Sequence, residues 1–218
     1  PWRRTLPAIG HISGEHVTSL FGRDVVMPRV PRTMLTLART CISREFRAFA
    51  ANKSSPVTQW LRALTALAHK DCGGHGEGAL GMCFTDNFAL NMMLEKSVVA
   101  LGLSQPSLPM HDAAGLAIHP DELARVRQRL EDENLTVRAF RFEDDTFGPA
   151  AKFAAYERAL GNRFAGAVLP DSTANPDAPL KTPHNVVTLH LIDEAGQPTV
   201  QVRDEILDFF RAPLIDGV

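Results

Sequence analysis

Long apolar runs are missing from these 218 residues. None approaches the roughly 18 to 20 residues that a membrane span requires, so no transmembrane segment and no membrane partner are expected. The opening Pro1-Trp-Arg-Arg4 has no apolar core of the signal-peptide kind, and a leader is not expected either. Charge of one sign is also lacking. Lys and Arg number 23 against 25 Asp and Glu, leaving a formal net charge of −2. With no basic stretch and no aromatics interleaved among Lys and Arg, a nucleic-acid partner is not expected. Cysteine is scarce: Cys41, Cys72 and Cys83 are odd in number and irregular in spacing. That argues against a disulfide framework and for a reducing, cytoplasmic setting. There is no Cys-x-x-Cys, and the eight histidines form no His-x-His or His-Glu-x-x-His, so no metal is expected. One dinucleotide-like pattern occurs, Gly76-Glu-Gly78-Ala-Leu-Gly81. It follows a helical stretch and a Gly73-Gly74 turn where that fingerprint needs a strand, so it is read as fortuitous and no cofactor is expected.

What remains is an ordinary globular composition, 44% hydrophobic and 22% charged, long enough for one domain with a full core. Its most informative stretch runs from Gly78 to Phe88. Ala79 to Met82 read as a brief buried strand, Cys83 as a sharp turn, and Phe84 to Leu94 as a helix by apolar spacing. A side chain at such a corner projects off the end of a sheet. The following backbone N–H groups point the same way, so one turn can present a nucleophile and stabilise the anion it creates. The helix N-terminus also favours thiolate over thiol. Without that context Cys83 would be a small buried hydrophobe, as many lone cysteines are.

The rest of the chain alternates strands and helices. Leu6 to Ile9 and Arg23 to Met27 read as short strands, with the polar loop Gly10 to His16 between them. Apolar positions from Met34 to Phe49, Cys41 among them, predict a helix or a broken pair over Thr33 to Asn52. Ser55-Pro56 fits an N-cap with proline at the first helical position, followed by an apolar stripe of Val57, Trp60, Leu61, Leu64, Leu67 and Ala68. Val98 to Leu103 is a buried strand stopped by Ser104-Gln-Pro106. A helix with acidic residues in its first turn opens at Pro120 and ends at Asn134, burying Leu123, Val126 and Leu130. Val137 to Phe142 is a strand running into the acidic corner Glu143-Asp144-Asp145, Ala151 to Leu160 a helix, and Gly166 to Leu169 a strand. Asp171 to Pro183 is a loop too polar to pack. His184 opens Asn185 to Leu189, and Thr199 to Phe210 is a closing helix. Alternation of this kind predicts an α/β fold with a mostly parallel sheet and helices on both faces. In such sheets reactive residues gather at the carboxyl ends of strands.

Three separated residues then form a candidate set in the order nucleophile, acid, histidine. Cys83 follows one strand, Asp144 or Asp145 a later one, and His184 the strand after that. His184 would take or hold the thiol proton, the aspartate would fix the imidazole tautomer, and the thiolate would attack an acyl carbon. The Phe84 amide is the first oxyanion donor and the loop at His11-Ile12-Ser13 the source of a second. His190, after an apolar run, reads as a core or surface histidine, and Met92-Met93 as core filler.

Gly81-Met-Cys83-Phe-Thr-Asp-Asn-Phe-Ala-Leu90 resembles the nucleophile elbow of the dienelactone hydrolase family, α/β-hydrolases in which cysteine replaces the usual serine. The likeness extends to Cys41-Ile-Ser-Arg-Glu-Phe46, Ser55-Pro-Val-Thr58 with Trp60, Ser104-Gln-Pro-Ser107, Arg141-Phe142 leading to Asp145, and His184-Asn-Val-Val-Thr188, roughly three quarters of the chain. It implies one α/β-hydrolase domain over residues 1–218 whose N-terminal αβ unit is abbreviated or incomplete. It implies a bacterial-type enzyme, monomeric or homodimeric, that cleaves a small ester or lactone through an acyl-thioester. Catalytic roles fall to Cys83, Asp145 (over Asp144) and His184 (over His190), with Phe84 and Ile12 as oxyanion donors. Where the family carries a glutamate after the histidine of its first loop, this chain has Ile12. Where many relatives carry glycines, it has Asp86-Asn87, and Asp86 is expected to face solvent at the helix start. A carboxylate of the substrate would be met by an arginine, for which Arg29, Arg32, Arg44 and Arg141 are candidates. A different reading is a hydrolase-fold protein without turnover, acting as a ligand-binding or thiol-redox module.

Overall fold

A computed structural model of the chain describes residues 44–217. The expectations for the strands before Arg44, for Ile12, for Cys41, Arg29 and Arg32, and for most of the Thr33 to Asn52 helix lie outside the described residues. The part of that helix inside them, residues 44–52, runs as turns.

Helix α1 spans Val57–Cys72, strand β1 Glu77–Met82, helix α2 Asp86–Met92 and strand β2 Val98–Ser104. They are followed by α3 (Pro120–Asp132), β3 (Val137–Phe142), α4 (Ala150–Leu160), β4 (Phe164–Leu169) and α5 (Pro198–Arg211). The four strands form one all-parallel sheet in the order β1-β2-β3-β4. Each strand thus pairs with its successor in sequence through a crossover that carries a helix, as parallel neighbours require.

Period-two alternation sorts the strand side chains onto two faces. Val137 and Ala139 of β3 join Leu101 and Leu103 of β2 in a core with Leu90, Val126, Leu130, Phe153 and Leu160 of α2, α3 and α4. Phe140 and Phe142 point the other way and pack with Leu169 and with Val202, Ile206 and Phe210 of α5. Helices therefore cover both faces, and β2 is buried on both sides, which is why it reads as a continuous apolar run. Each fully buried Leu or Phe here contributes roughly 1.5–3 kcal/mol by leaving water.

Helix α3 begins where expected, with Pro120 in the first turn and Asp121 and Glu122 next to the exposed amides. Its cap, however, is His119, whose Nδ1 accepts the Asp121 N–H. It stops before Asn134, which turns the chain with φ 54°. Helix α1 departs from expectation. Pro56 precedes the first helical residue, and the Ser55 hydroxyl donates to the Phe46 carbonyl instead of capping an amide. The predicted apolar stripe is covered only in part: Leu61 packs against the core and Val57, Leu64 and Ala68 are half-buried, while Trp60 and Leu67 are exposed and Thr58 is the buried residue of the helix. Two other readings are corrected. The stretch from Asp171 to Pro183 does pack, because a 3₁₀ turn at Asp171–Thr173 lets Ala174 and Ala178 bury their methyl groups. The helix after Cys83 splits into a 3₁₀ turn, Cys83–Thr85, and the short α2.

The strand ends carry the consequence for function. Met82 lies beside Ser104, Ser104 beside Phe140, and Phe142 beside Leu169. Cys83, Gln105 and the Glu143–Asp145 corner therefore leave the sheet along one rim.

Candidate active site

Cys83 occupies the rim position after β1 with φ 55°, a left-handed conformation that a non-glycine residue adopts only when its surroundings hold it there. Several contacts do so. Thr85 Oγ1 accepts the Met82 N–H at 2.9 Å and donates to the Met82 carbonyl at 3.0 Å, closing the turn from one side. Gly81 lets the turn lie against α2, since a Cβ there would stand 2.5 Å from Asp86 Cα and 2.8 Å from Ala89 Cβ. Such backbone contact leaves no room for a side chain.

Asp145 lies where β3 ends, 2% exposed. Its Oδ1 accepts the backbone N–H of Phe147 at 2.9 Å and of Gly148 at 3.0 Å, and Nδ1 of His184 sits 2.9 and 2.8 Å from its two oxygens. Arg141 braces the same corner, its guanidinium donating to the carbonyls of Gly148 and Glu143. Asp144 is exposed and points elsewhere, its amide donating to Asp171. The choice of Asp145 over Asp144 as the partner of His184 agrees with this geometry.

His184 is 4% exposed, in a stretch that forms turns rather than a strand through residues 186–190. His190 organises that stretch. Its Nε2 donates to the Leu180 carbonyl at 2.8 Å, so Nδ1 is free to accept the backbone N–H of His184 and of Asn185, at 3.3 and 3.0 Å. From the β2 side, Gln105 reaches the same turn through the Asn185 side chain and the Val186 amide. The Phe147 ring, half exposed, lies 5.1 Å from the His184 ring and screens it from water.

With Nδ1 held by Asp145, the Nε2 atom of His184 is buried without a hydrogen-bond partner, and the Cys83 thiol is near enough to act on the charge of the ring. The interaction is mutual. Burial pushes the Cys83 thiol up, but His184 outweighs it, helped by the Ser107 hydroxyl 3.6 Å from Sγ and by the Phe84 backbone N–H, so the thiol ends below its ordinary value. Burial disfavours charge on His184 too, yet the Asp145 and Cys83 contacts raise the imidazole to about 9. The imidazolium is therefore the favoured form near neutrality, and the thiol beside it ionises more readily than a free cysteine.

The structure thus brings together Cys83, Asp145, His184 and Phe84, and Ile12 lies outside the described residues. It also corrects two expectations. Asp86 does not face solvent: it is fully buried beneath the Cys83 turn, because α2 begins close against Gly81 and β2. Arg141 is not available to a substrate carboxylate, since it is 4% exposed and committed to the Gly148 and Glu143 carbonyls. Arg44 is exposed. Sequence reasoning missed Ser107, Gln105 and His190 as parts of this rim. The polar run Ser104-Gln-Pro-Ser107 directly after an apolar strand was the available signal for the first two, whereas nothing local marks His190. Among the described residues no three His, Cys, Asp or Glu side chains are grouped to hold a metal ion. No described helix is long and apolar enough to cross a membrane.

Comparison with protein-family models, with curated proteins and with solved structures finds no match for the chain. The functional reading therefore rests on the geometry and on the resemblance of motifs.

Proposed function

We propose that the protein is a hydrolase of the dienelactone hydrolase kind, built on an α/β-hydrolase fold, which cleaves a small ester or lactone through an acyl-thioester on Cys83. The observation that carries this reading is the buried relay at the sheet rim: Asp145 bonded to Nδ1 of His184, Nε2 unengaged, and the thiol of Cys83 as the group that couples to it.

The chemistry follows from the resting charges. The Cys83 thiolate attacks the carbonyl carbon of the ester, and the carbonyl electron pair moves to oxygen. The Phe84 N–H, which follows the nucleophile directly, is placed to meet that oxyanion. Collapse of the tetrahedral adduct breaks the C–O bond, and the His184 imidazolium donates its Nε2 proton to the departing alkoxide. Asp145 holds the ring in the orientation that makes this transfer direct. The neutral imidazole then takes a proton from water, hydroxide adds to the thioester, and the thiolate leaves as carboxylic acid forms. A thiolate is a good enough leaving group for this second step because its pKa is held down.

Rapid mixing with a chromogenic ester tests the reading. A burst of product equal to the protein present, followed by slower steady turnover and abolished in Cys83→Ala, is the expected result. Ligand binding that survives Cys83→Ala, with neither burst nor turnover in the unaltered protein, would instead support the non-hydrolytic ligand-binding module.

A further inference from the structure

Asp86 is the buried ionisable group that this mechanism leaves unused. It is fully buried, three residues beyond the nucleophile. Its Oδ1 accepts the Ser104 backbone N–H at 3.1 Å, and the Cys83 backbone N–H lies near enough to act on the charge of the carboxyl. Oδ2 has no hydrogen-bond partner. One carboxyl therefore ties the elbow after β1 to the last residue of β2. An acidic residue in the first turn reaching back to the amide that opens it is the logic of a capping box, here turned on the nucleophile's own backbone.

The surroundings decide its charge. The groups that act on this carboxyl are the Cys83 thiol and amide, the Ser104 amide from β2, and the Tyr156 phenol from α4. Two of these can carry negative charge, and no Lys, Arg or His among the described residues forms an ion pair with Asp86. An unpaired carboxylate buried beside a thiolate would meet desolvation and like-charge repulsion together, whereas a neutral carboxyl leaves one modest unsatisfied group. Both pressures push Asp86 well above the ordinary aspartate range.

We propose that Asp86 is a positioning residue: a neutral carboxyl that hydrogen-bonds the backbone N–H groups of Cys83 and Ser104, locks the left-handed turn, and adds no second charge beside the thiolate. The inference rests on Cys83 being the reactive thiol of the proposed function, and it does not depend on ester turnover. It reverses the effect expected of a carboxylate at this position. An ionised Asp86 would raise the Cys83 thiol and oppose the site, while a neutral one leaves His184 in control of it.

Rates of Cys83 alkylation by iodoacetamide, measured across pH in the full chain and its variants, test this. Asp86→Asn keeps the acceptor oxygen and the neutral charge, so its profile should overlay the unaltered one within about 0.3 pH unit. Asp86→Ala removes the acceptor and should slow the low-pH reaction about tenfold or more, with Asp86→Asn acting as the rescue. A shift of the Asn profile to lower pH by about one unit or more would mean that Asp86 is charged, and an Ala variant that reacts normally would mean that nothing is held; either overturns the proposal. Should either variant fail to fold, carbon NMR of aspartate carboxyls in the unaltered protein decides the matter. One buried carboxyl should remain protonated at neutral pH and should titrate at lower pH once Cys83 is alkylated, by reciprocal linkage. Full ionisation of every aspartate at neutral pH would overturn it. Absence of the fast low-pH limb in the unaltered protein would instead refute Cys83 as the activated thiol, a separate failure.

Discussion

Replacing His184 with Ala separates the two opposing influences on the Cys83 thiol. Burial raises that thiol and is the largest single influence on it; His184, Ser107 and the Phe84 amide together overcome it. Remove the imidazole and burial remains, so the thiol should move from below its ordinary value of 9.0 to that value or above. The size of the change can be bounded from the partner. An imidazole raised from 6.5 to about 9 is stabilised in its charged form by roughly 3 kcal/mol. Asp145 supplies part of this and the thiolate the rest, and what the thiolate gives it also receives. Loss of the partner should then cut the thiolate fraction at pH 7 by roughly ten- to a hundredfold, with the alkylation rate following it. Cys72 is a free, exposed thiol at the end of α1 and serves as an internal standard, so the ratio of Cys83 to Cys72 labelling by peptide mass spectrometry cancels reagent effects. The sign at high pH is also fixed. Since the imidazole holds its proton up to about 9, ester turnover, which needs that proton for the leaving group, should fall as pH rises through about 9, while alkylation, which needs the thiolate alone, should not. A His184→Ala variant that keeps the low-pH alkylation limb would refute the reasoning.

Two further expectations concern the frame around the pair. In His190→Ala, the buried amide of His184 and the half-buried amide of Asn185, together with the Leu180 carbonyl, lose their partner. Stranded buried groups cost about 1–3 kcal/mol apiece before water enters, so urea denaturation should show a loss of about 2–4 kcal/mol together with slower Cys83 alkylation; a loss below about 0.5 kcal/mol would rule out the bracing role. Leu130→Ala opens a hole in the fully buried contact between α3 and the sheet. Stability should drop by about 2–5 kcal/mol while the pH profile of Cys83 alkylation stays in place, and a displaced profile would mean that the rim depends on the distant core more closely than the strand register implies.

The legible parts of this chain were those in which one short segment carried its own signal. The run Val98 to Leu103, the acidic opening at Pro120 and the alternation through Val137 to Phe142 each appear within a residue or two of expectation. The Met92-Met93 pair is buried, and Gly76 to Gly81 runs into and along a strand rather than opening a helix. Cys83 was legible as a corner because a strand pattern and a helix pattern meet there. Asp86 was not. Near a helix start an aspartate is ordinarily solvated, and only the approach of β2, 18 residues later in sequence, turns its side chain inward. The exposure of Trp60 and Leu67 within the α1 stripe has a related reason, since periodicity reports that a face is apolar without reporting how much of it is covered. His190 shows the same limit from the other side. Its value lies in two amides and one carbonyl brought together by turns, and such turns have no period to detect.

The distribution of those contacts bears on how the reactive pair keeps its geometry. The three strand ends do not each contribute one independent side chain. β1 offers Cys83 but needs Ser104 of β2 to anchor its turn through Asp86. β2 offers Ser107 to the sulfur and sends Gln105 across to the turn that carries His184. β3 offers Asp145, whose loop is fixed in turn by Arg141 from the same strand. A register slip of one residue between β1 and β2 would therefore disturb the thiol, its hydroxyl partner and the histidine turn at once, because a one-residue shift exchanges the faces of every side chain. Parallel strands buried on both sides resist such a slip, since it would move Leu101 and Leu103 out of one core and into another already filled by Phe140, Phe142 and Phe210. The apolar character of β2 thus acts on the site as well as on stability: it fixes the register, and the register brings the sulfur and the imidazole to the same rim.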